Sequence, residues 1–305
     1  MLALSRKHKM IVVKATIHIV QTAGIFEEAK VQIEKYFGIS RQAVQQMIDS
    51  TKNMLNDRSG DNGFQNTKVF LFDEYAVLRM QNINVRNVAT QDVDLKHLER
   101  LSETLFDLEA QGVGVVPILA FQSDNGNGYI IQSRAKGSEL YDRDKMDDTD
   151  YVIGRVELLS NAPQEHYDKF VEDTIKIIDA GVLIDFIGKD NFFYDETMGF
   201  QFIDLCAHSD YEYGLADTKP QGRQIAAYYC FLPCYFDTMP HYRNTVTIIL
   251  SELADEQYNL LKECNNSIFI KCKIAMINNG ISEEMINEAI ANKVFSQLEQ
   301  VTMRS

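Results

Sequence analysis

The sequence is short of the features that mark membrane proteins and disulfide-bonded or zinc-bound proteins. No apolar run approaches the roughly 18 residues that a transmembrane helix needs, so we expect no membrane partner. The cysteines are odd in number and show no CxxC spacing, which disfavours disulfides and zinc and favours a reducing, cytoplasmic setting. Cys230 and Cys234 stand four apart in an apolar, helix-like segment, so we expect both to be buried.

Several catalytic motifs are also missing, and basic residues are scarce. The 6 histidines show no HExxH spacing, and neither a GxSxG nucleophile motif nor a Walker phosphate loop occurs. The 30 Lys and Arg residues against 44 Asp and Glu residues give a net charge of −14. A nucleic-acid partner is therefore disfavoured, because phosphate neutralisation needs surplus basic residues. The acidic balance is compatible with a cationic substrate or a metal-dependent site.

Residues 5–24 combine a basic head with an apolar stretch, "SRKHKMIVVKATIHIVQTAG". No acidic residue precedes Glu27, which leaves an organelle presequence open. Lys14 and His18 interrupt the apolar stretch, however, and this favours a first strand or helix of the fold.

Residues 26–55 have the pattern of two helices. The segment "FEEAKVQIEKYFG" carries apolar residues at helical intervals and ends at Gly38, and Ser40 stands at the N-cap of the next helix. The phrase "FGISRQAVQQMI" resembles the turn and second helix of a helix-turn-helix, so a DNA-binding regulator remains an alternative. The acidic balance favours the simpler interpretation, an N-terminal helical extension over residues 1–58.

Residues 59–133 predict a small mixed region of strands and one helix. The segment "TKVFLFDEYAVLRM" predicts a β-hairpin around Asp73 and Glu74. The segment "DVDLKHLERLSETLFDLEAQG" predicts a helix with a leucine face that Gly112 closes. The segments "VGVVPILAFQ" and "GYIIQSRA" predict two strands joined by the turn "SDNGN".

Residues 134–305 are expected to be mostly helical. Five apolar residues recur at helical spacing between Pro163, placed in a first helical turn, and Gly181, which ends the run: Tyr167, Phe170, Val171, Ile175 and Ile178. The segment "NFFYDETMGFQFIDL" then predicts a second hairpin with "DETMG" as its turn. From Gln221 onward helices are predicted again, ending with "GISEEMINEAIANKVFSQLEQ".

Two carboxylates stand out in the segment "IDFIGKDNFFYDETMGFQFIDL", because each follows an apolar run. Asp185 and Asp204 would be costly to place at the end of a buried strand unless a cation or a donor meets them. Asn191 precedes Asp204 by 13 positions, which is the length of one tight hairpin that returns both side chains to the same end. Asp190 and Asp195, in contrast, are expected to be turn residues.

The order of these elements resembles the protein-kinase-like fold, and more closely its small-molecule branch, the aminoglycoside phosphotransferase and choline kinase relatives. The resemblance covers roughly residues 60–235 and rests on "GFQNTKVFLFDEYAVLRM", "VGVVPILAF", "GYIIQSRAKGSEL" and the Asp–Asn–hairpin–Asp segment. It implies an α+β, two-lobed fold with a small β-rich N-lobe over residues 59–133, a mostly helical C-lobe over residues 134–305, and ATP between the lobes.

The resemblance also implies roles for the three polar residues of the hairpin segment. Asp185 would be the catalytic carboxylate that orients or deprotonates an acceptor hydroxyl. Asn191 and Asp204 would hold Mg²⁺ against the nucleotide phosphates, and Mg²⁺ does prefer a few hard oxygen ligands shared with phosphate and water. Phosphoryl transfer needs such positioning and charge neutralisation more than covalent chemistry from the protein.

The remaining implied nucleotide contacts lie in residues 59–134. Arg79 would grip phosphate oxygens through its two-point guanidinium, with Glu99 or Glu103 as its helix partner and Glu99 slightly favoured. The backbone of Gln132, Ser133 and Arg134 would face adenine. The loop "SGDNGFQN", with two glycines, would cover the phosphates through its N–H groups.

The sequence departs from the family pattern at the catalytic loop. The usual histidine-containing triplet is "LID", the Asp-Phe-Gly motif is "IDL", and Asn191 follows Asp185 by 6 positions, one more than the common spacing. A gapless alignment on Asn191 would put Phe186 at the catalytic position. The resemblance therefore implies an ATP- and Mg²⁺-dependent phosphotransferase acting on a hydroxyl of a small molecule, such as an aminosugar or amino-alcohol. A protein kinase-like enzyme or a nucleotide-binding pseudokinase is the alternative.

Overall fold

The structure is a computed structural model of the chain. It describes residues 67–71, 75–80, 95–124, 127–140, 145, 148–184, 191–203, 205–207, 222–234 and 253–291. The predicted extension over residues 1–58, and with it the helix-turn-helix alternative, lies outside these residues. The chain divides into two compact units, residues 1–135 and residues 136–305.

The first unit contains an antiparallel sheet of four described strands in the order β1-β2-β4-β3. The strands are β1 (Thr67–Leu71), β2 (Tyr75–Met80), β3 (Ile118–Asp124) and β4 (Asn127–Ser133). The pairing of β1 with β2 and of β3 with β4 confirms both hairpins that the apolar runs predict. Asp124 pairs with Asn127, so the connection between β3 and β4 is shorter than the turn predicted from "SDNGN".

The first unit also contains the predicted leucine-faced helix, α1 (Leu95–Ala110). Leu101, Leu105 and Leu108 are all buried, as their helical spacing predicts. Gly112 follows the helix with φ of 80°, a left-handed conformation that suits glycine at a helix end.

Five helices are described in the second unit: α2 (Thr149–Asn161), α3 (Gln164–Asp179), α4 (Gly222–Tyr229), α5 (Asp255–Asn278) and α6 (Glu283–Ala291). Helix α3 contacts both α4 and α5. Its five predicted core residues are buried, which confirms the periodicity. Pro163 is the N-cap and not a first-turn residue, because its ψ of 148° is extended and the helix begins one residue later. The predicted burial of Cys230 and Cys234 is also confirmed.

The second unit has two small antiparallel sheets among its described residues. Strands β5 (Ser138–Glu139), β7 (Phe192–Asp195) and β8 (Gly199–Phe202) form one sheet in the order β5-β7-β8. Strands β6 (Val182–Leu183) and β9 (Cys206–Ala207) form the other. The β7–β8 hairpin is confirmed, whereas the sequence analysis predicted no strand at the position of β5.

The protein is therefore a mixed fold of helices and antiparallel strands, with a small three-stranded sheet and several helices in its second unit. The prediction of residues 1–58, 59–133 and 134–305 as three domains stays a prediction. None of the helices in the described ranges has both the length and the apolar character needed to cross a bilayer.

Candidate functional site

The hairpin β7–β8 packs on two buried rings of helix α3, Tyr167 and Phe170, which we call the aromatic bed. On β7, Phe192 and Tyr194 are buried while the residue between them is half-buried, so alternate side chains face the helix. Phe170 of α3 stacks on Phe202 with ring centroids 5.4 Å apart and contacts Phe192 at 6.1 Å and Phe200 at 4.8 Å. The hairpin is thus held at a fixed position on the helix by buried rings with specific contacts.

The turn of this hairpin is built by Asp195 and Gly199. One carboxylate oxygen of Asp195 accepts hydrogen bonds from the backbone N–H groups of Thr197 and Met198, both at 2.9 Å. Gly199 has φ of 79° and lies against the ring of His166, where an added Cβ would be 3.3 Å from the nearest ring carbon. Asp195 is therefore a turn residue, as expected, and its carboxylate is committed to the backbone.

The opposite end of the hairpin carries Asn191, one of the two predicted metal ligands. The N–H of Ile203 donates to the backbone carbonyl of Asn191 at 2.9 Å, which extends the Phe192–Phe202 pairing by one step. Asn191 is only 9% exposed. Asp204 follows Ile203 directly in the chain but lies outside the described residues. The structure thus brings Asn191 next to the residue that precedes Asp204.

The short β6–β9 sheet flanks the same region of the chain, because Asp185 follows β6 and Asp204 precedes β9 in the sequence. Leu183 pairs with Cys206, and the next residues inward, Ile184 and Leu205, are both buried. Two residues beyond the Leu183–Cys206 pair, the chain reaches Asp185 on one side and Asp204 on the other. Asp185 also lies outside the described residues, so its predicted role stays a prediction.

The predicted phosphate-binding residues are placed on the first unit's sheet and helix. Arg79 lies in β2 between Lys68 of β1 and Tyr129 of β4, and the structure describes its backbone only. Lys68 was not predicted as a site residue, although it pairs with Arg79 and so places a second basic residue next to Arg79 in the sheet. Glu99 and Glu103 lie one turn apart in α1, so both remain candidates for the acidic partner.

The predicted adenine-facing segment lies at the end of β4. Gln132 is buried and pairs with Ala76 on one side and Ile118 on the other. The N–H of Ser133 donates to the carbonyl of Pro117 at 3.3 Å. Arg134 is exposed. A base that accepts a hydrogen bond from the N–H of Ser133 would first have to displace that contact.

Phe193 is a candidate that the sequence reasoning missed. It is half-buried on the face of β7 opposite the aromatic bed, and its register partners are Gln201 on β8 and Glu139 on β5. The signal was available in the period-two alternation of "NFFYD", which sends its two phenylalanines to opposite faces. An aromatic ring two positions after Asn191 is suited to contact a flat base.

Three buried groups of the second unit, the hydroxyls of Tyr167 and Tyr194 and the thiol of Cys230, are not suited to act as acids or nucleophiles. Burial raises the pKa of Tyr194 to about 12 and also raises the pKa of Tyr167, whose hydroxyl donates to the carbonyl of Leu159 at 2.8 Å. Burial likewise raises the pKa of the Cys230 thiol to about 12. Since a thiol reacts as its thiolate, Cys230 is a packing residue.

The described residues contain no group of three or more His, Cys, Asp or Glu side chains that could hold a metal, and Asp185 and Asp204 are not among them. No protein-family model matches the chain. A search of curated proteins finds no match either.

Proposed function

We propose that this chain is an ATP- and Mg²⁺-dependent phosphotransferase with a two-lobed, kinase-like fold that phosphorylates a hydroxyl of a small molecule. The observation that carries the proposal is the hydrogen bond from the N–H of Ile203 to the carbonyl of Asn191. It supports a site at the open end of one hairpin, because Asp204 directly follows the residue that is hydrogen-bonded to Asn191. An amide oxygen and a carboxylate there fit the hard oxygen donors that Mg²⁺ takes.

In the proposed reaction each residue has one task. Asn191 and Asp204 hold Mg²⁺, which neutralises charge on the phosphates when it is bound. Arg79 grips phosphate oxygens with its guanidinium fork. Asp185 orients the acceptor hydroxyl and receives its proton as the new phosphate ester bond forms and ADP departs.

The assignment of Asp185 over Phe186 has support from the β6–β9 register. Asp185 comes two residues after Leu183 and Asp204 two residues before Cys206, so both carboxylates are equally distant from the Leu183–Cys206 pair. The common family spacing of five residues before Asn191 would instead select Phe186. Phenylalanine can neither orient a hydroxyl nor accept a proton. If the position of Phe186 is the one that meets the acceptor, the protein is a nucleotide-binding pseudokinase, which is the second candidate function.

The acceptor class follows from charge. With a net charge of −14, the protein attracts cations more readily than anions, so we propose an aminosugar or an amino-alcohol. A panel of sugars, aminoglycosides and amino-alcohols, assayed for ADP release, tests this part of the proposal. Turnover with neutral sugars alone would contradict the cationic acceptor while leaving the phosphotransferase standing.

The nucleotide site is tested by thermal unfolding. ATP with Mg²⁺ is expected to raise the melting temperature, because a ligand that binds only the folded state stabilises it. Asp204→Ala should abolish this rise. Asp195→Asn is the matched control: it changes a carboxylate at the other end of the same hairpin, keeps the oxygen that the turn needs, and should retain the rise. Absence of a shift in the wild-type protein with every nucleotide would refute the proposal.

The catalytic assignment needs a separate measurement. Asp185→Asn should keep the ATP-dependent rise in melting temperature and lose turnover by about 10²-fold or more, as expected when a positioned proton acceptor is removed. Full activity in this variant with a working acceptor would show that Asp185 is not the catalytic carboxylate. Nucleotide binding by the wild-type protein without any turnover would favour the pseudokinase.

A further inference from the structure

The C-terminal end of helix α5 is closed by the pair Asn279–Gly280. Gly280 has φ of 74°, and its N–H donates to the carbonyl of Ile277 at 3.0 Å. The N–H of Ile281 donates to the carbonyl of Met276, also at 3.0 Å. These two bonds form a Schellman motif, in which glycine takes the left-handed position after the last helical turn. The backbone that ends the helix therefore favours glycine directly after Asn279.

The side chain of Asn279 joins this helix end to α3. Its amide nitrogen donates to the backbone carbonyl of Asp168 in α3 at 3.0 Å and to that of Ala275 in α5 at 2.9 Å. Both partners are acceptors, so the NH₂ group of the amide has to face them. The neighbouring Asn278 donates to the carboxylate of Asp168 at 3.0 Å. The end of α5 is thus held on α3 by donors, and Asn279 supplies one of them.

An asparagine that precedes glycine is prone to spontaneous deamidation, because glycine has no side chain to hinder the approach of its backbone nitrogen. The nitrogen of Gly280 would attack the side-chain carbonyl carbon of Asn279. The new N–C bond closes a five-membered succinimide ring, and ammonia leaves. Water then opens the ring and leaves aspartate or isoaspartate in place of asparagine. The reaction consumes one water molecule and needs no enzyme, oxidant or cofactor.

The folded chain opposes this reaction. The attacking nitrogen of Gly280 is engaged in the hydrogen bond to Ile277, and the amide group that has to leave Asn279 is engaged in two more. All three bonds have to open before the nitrogen can reach the side-chain carbon. Helix ends open more readily than helix centres, so the reaction proceeds during local opening of this end of α5.

Conversion of Asn279 to aspartate would remove its contact with α3. A carboxylate cannot donate, so its oxygens would face the carbonyl oxygens of Asp168 and Ala275 with no proton between them. The new negative charge would also lie at the C-terminal end of a helix, where the backbone carbonyls already make the potential negative. Both effects favour release of the end of α5 from α3.

We propose that Asn279 is a site of spontaneous deamidation, slowed by the native end of α5, and that its conversion to aspartate or isoaspartate releases this helix end from α3. The proposal is independent of the proposed phosphotransferase activity, because it involves neither nucleotide nor acceptor. It assigns Asn279 a second property besides packing: the amide reports how often this helix end opens, since each conversion requires an opening.

Mass spectrometry of proteolytic peptides from the incubated full chain tests the site. The peptide with Asn279 should acquire the mass difference between an amide and a carboxyl group at least about tenfold more slowly in buffer than in denaturant, because three hydrogen bonds have to open first. In denaturant its rate should be similar to those of the other Asn–Gly pairs in the sequence, which begin at Asn62, Asn125 and Asn127. Equal rates in buffer and denaturant, or no conversion in denaturant, would overturn the proposal.

Three variants test the consequence of conversion. Asn279→Asp reproduces one product and should lower the melting temperature and speed amide hydrogen exchange at residues 279–281 by about two- to tenfold, as expected for one or two lost hydrogen bonds. Asn279→Ala removes the donor without adding charge and should give a smaller effect in the same direction. Asn266→Asp, the matched control, makes the same charge change at an exposed position of α5 and should change neither measurement.

Unchanged exchange in Asn279→Asp would overturn the role of the amide. Equal effects of Asn279→Asp and Asn266→Asp would overturn it as well, because they would show that added charge alone destabilises α5. Deamidated wild-type protein, separated from the intact form by ion exchange, should show the same faster exchange at residues 279–281. If it exchanged like the intact form, release of the helix end by conversion would be wrong.

Discussion

Phe170 is the residue whose removal should do most damage to the hairpin. It is 1% exposed and meets the rings of Phe192, Phe200 and Phe202. A buried aromatic side chain removes roughly 150–250 Å² from water, which at about 25 cal/mol per Å² corresponds to roughly 4–6 kcal/mol. Alanine retains the Cβ but leaves a cavity, so we expect Phe170→Ala to cost about 4 kcal/mol, within the usual range for such changes.

Chemical denaturation of wild type and variant measures this loss directly. In thermal unfolding the same change should lower the melting temperature by roughly 8–16 °C for a unit of this size. Phe170→Leu keeps most of the volume and should cost only about 1–2 kcal/mol. Ile270→Ala, at a side chain that is 56% exposed, is the control and should change stability by less than about 0.5 kcal/mol. A loss below about 1 kcal/mol for Phe170→Ala would refute the view that this aromatic bed holds the hairpin.

Two further predictions concern space and protonation. Gly222→Ala should destabilise the protein by roughly 1–3 kcal/mol, because the added Cβ would lie 2.6 Å from the carbonyl oxygen of Ile175. Gly154→Ala, in α2, should stabilise the protein by roughly 0.5–1 kcal/mol, because no atom lies within 4 Å of the added Cβ. Denaturant titration compares the two variants, and effects of equal sign would contradict the prediction. Burial raises the pKa of Tyr194 from 10.0 to about 12, so the folded state keeps a proton that the unfolded state loses. The stability from Tyr194 is therefore present below pH 10 and should fall by about 2–3 kcal/mol as the pH rises to about 12. Tyr194→Phe should flatten this part of the denaturation profile, and an unchanged slope would contradict the assignment.

Local patterns predicted those elements whose burial repeats along the chain. The leucines of α1 and the apolar series of α3 recur at helical spacing, and both helices occur where the spacing puts them. The turn of the second hairpin was also readable, because Asp195 and Gly199 are the residue types that such a turn requires. These features depend on neighbours within a few residues, which a single sequence displays.

Long-range choices could not be predicted in this way. Strand β5 has only two residues, which is too short to show an alternation of apolar and polar side chains. It forms because Glu139 pairs with Phe193, more than fifty residues later in the chain. The buried Arg155 looked like any helix arginine, although it donates to two carbonyls of the segment after residue 135. At the candidate site the order Asp185, Asn191 and Asp204 was visible from the chain, whereas the hydrogen bond from the N–H of Ile203 to the carbonyl of Asn191 was not.

Under the proposed function, the two faces of the hairpin contribute differently to stability and to binding. The face that carries Phe202 is packed on α3, so substitutions there act on the free energy of unfolding first and on any ligand only through loss of the fold. The other face carries the half-buried Phe193, so under the proposed function substitutions there should change ligand affinity more than stability. Phe170→Ala and Phe193→Leu therefore make a discriminating pair. If both lowered stability and ATP affinity in the same proportion, the division would be wrong, and the hairpin would act as a scaffold with no separate ligand-positioning face.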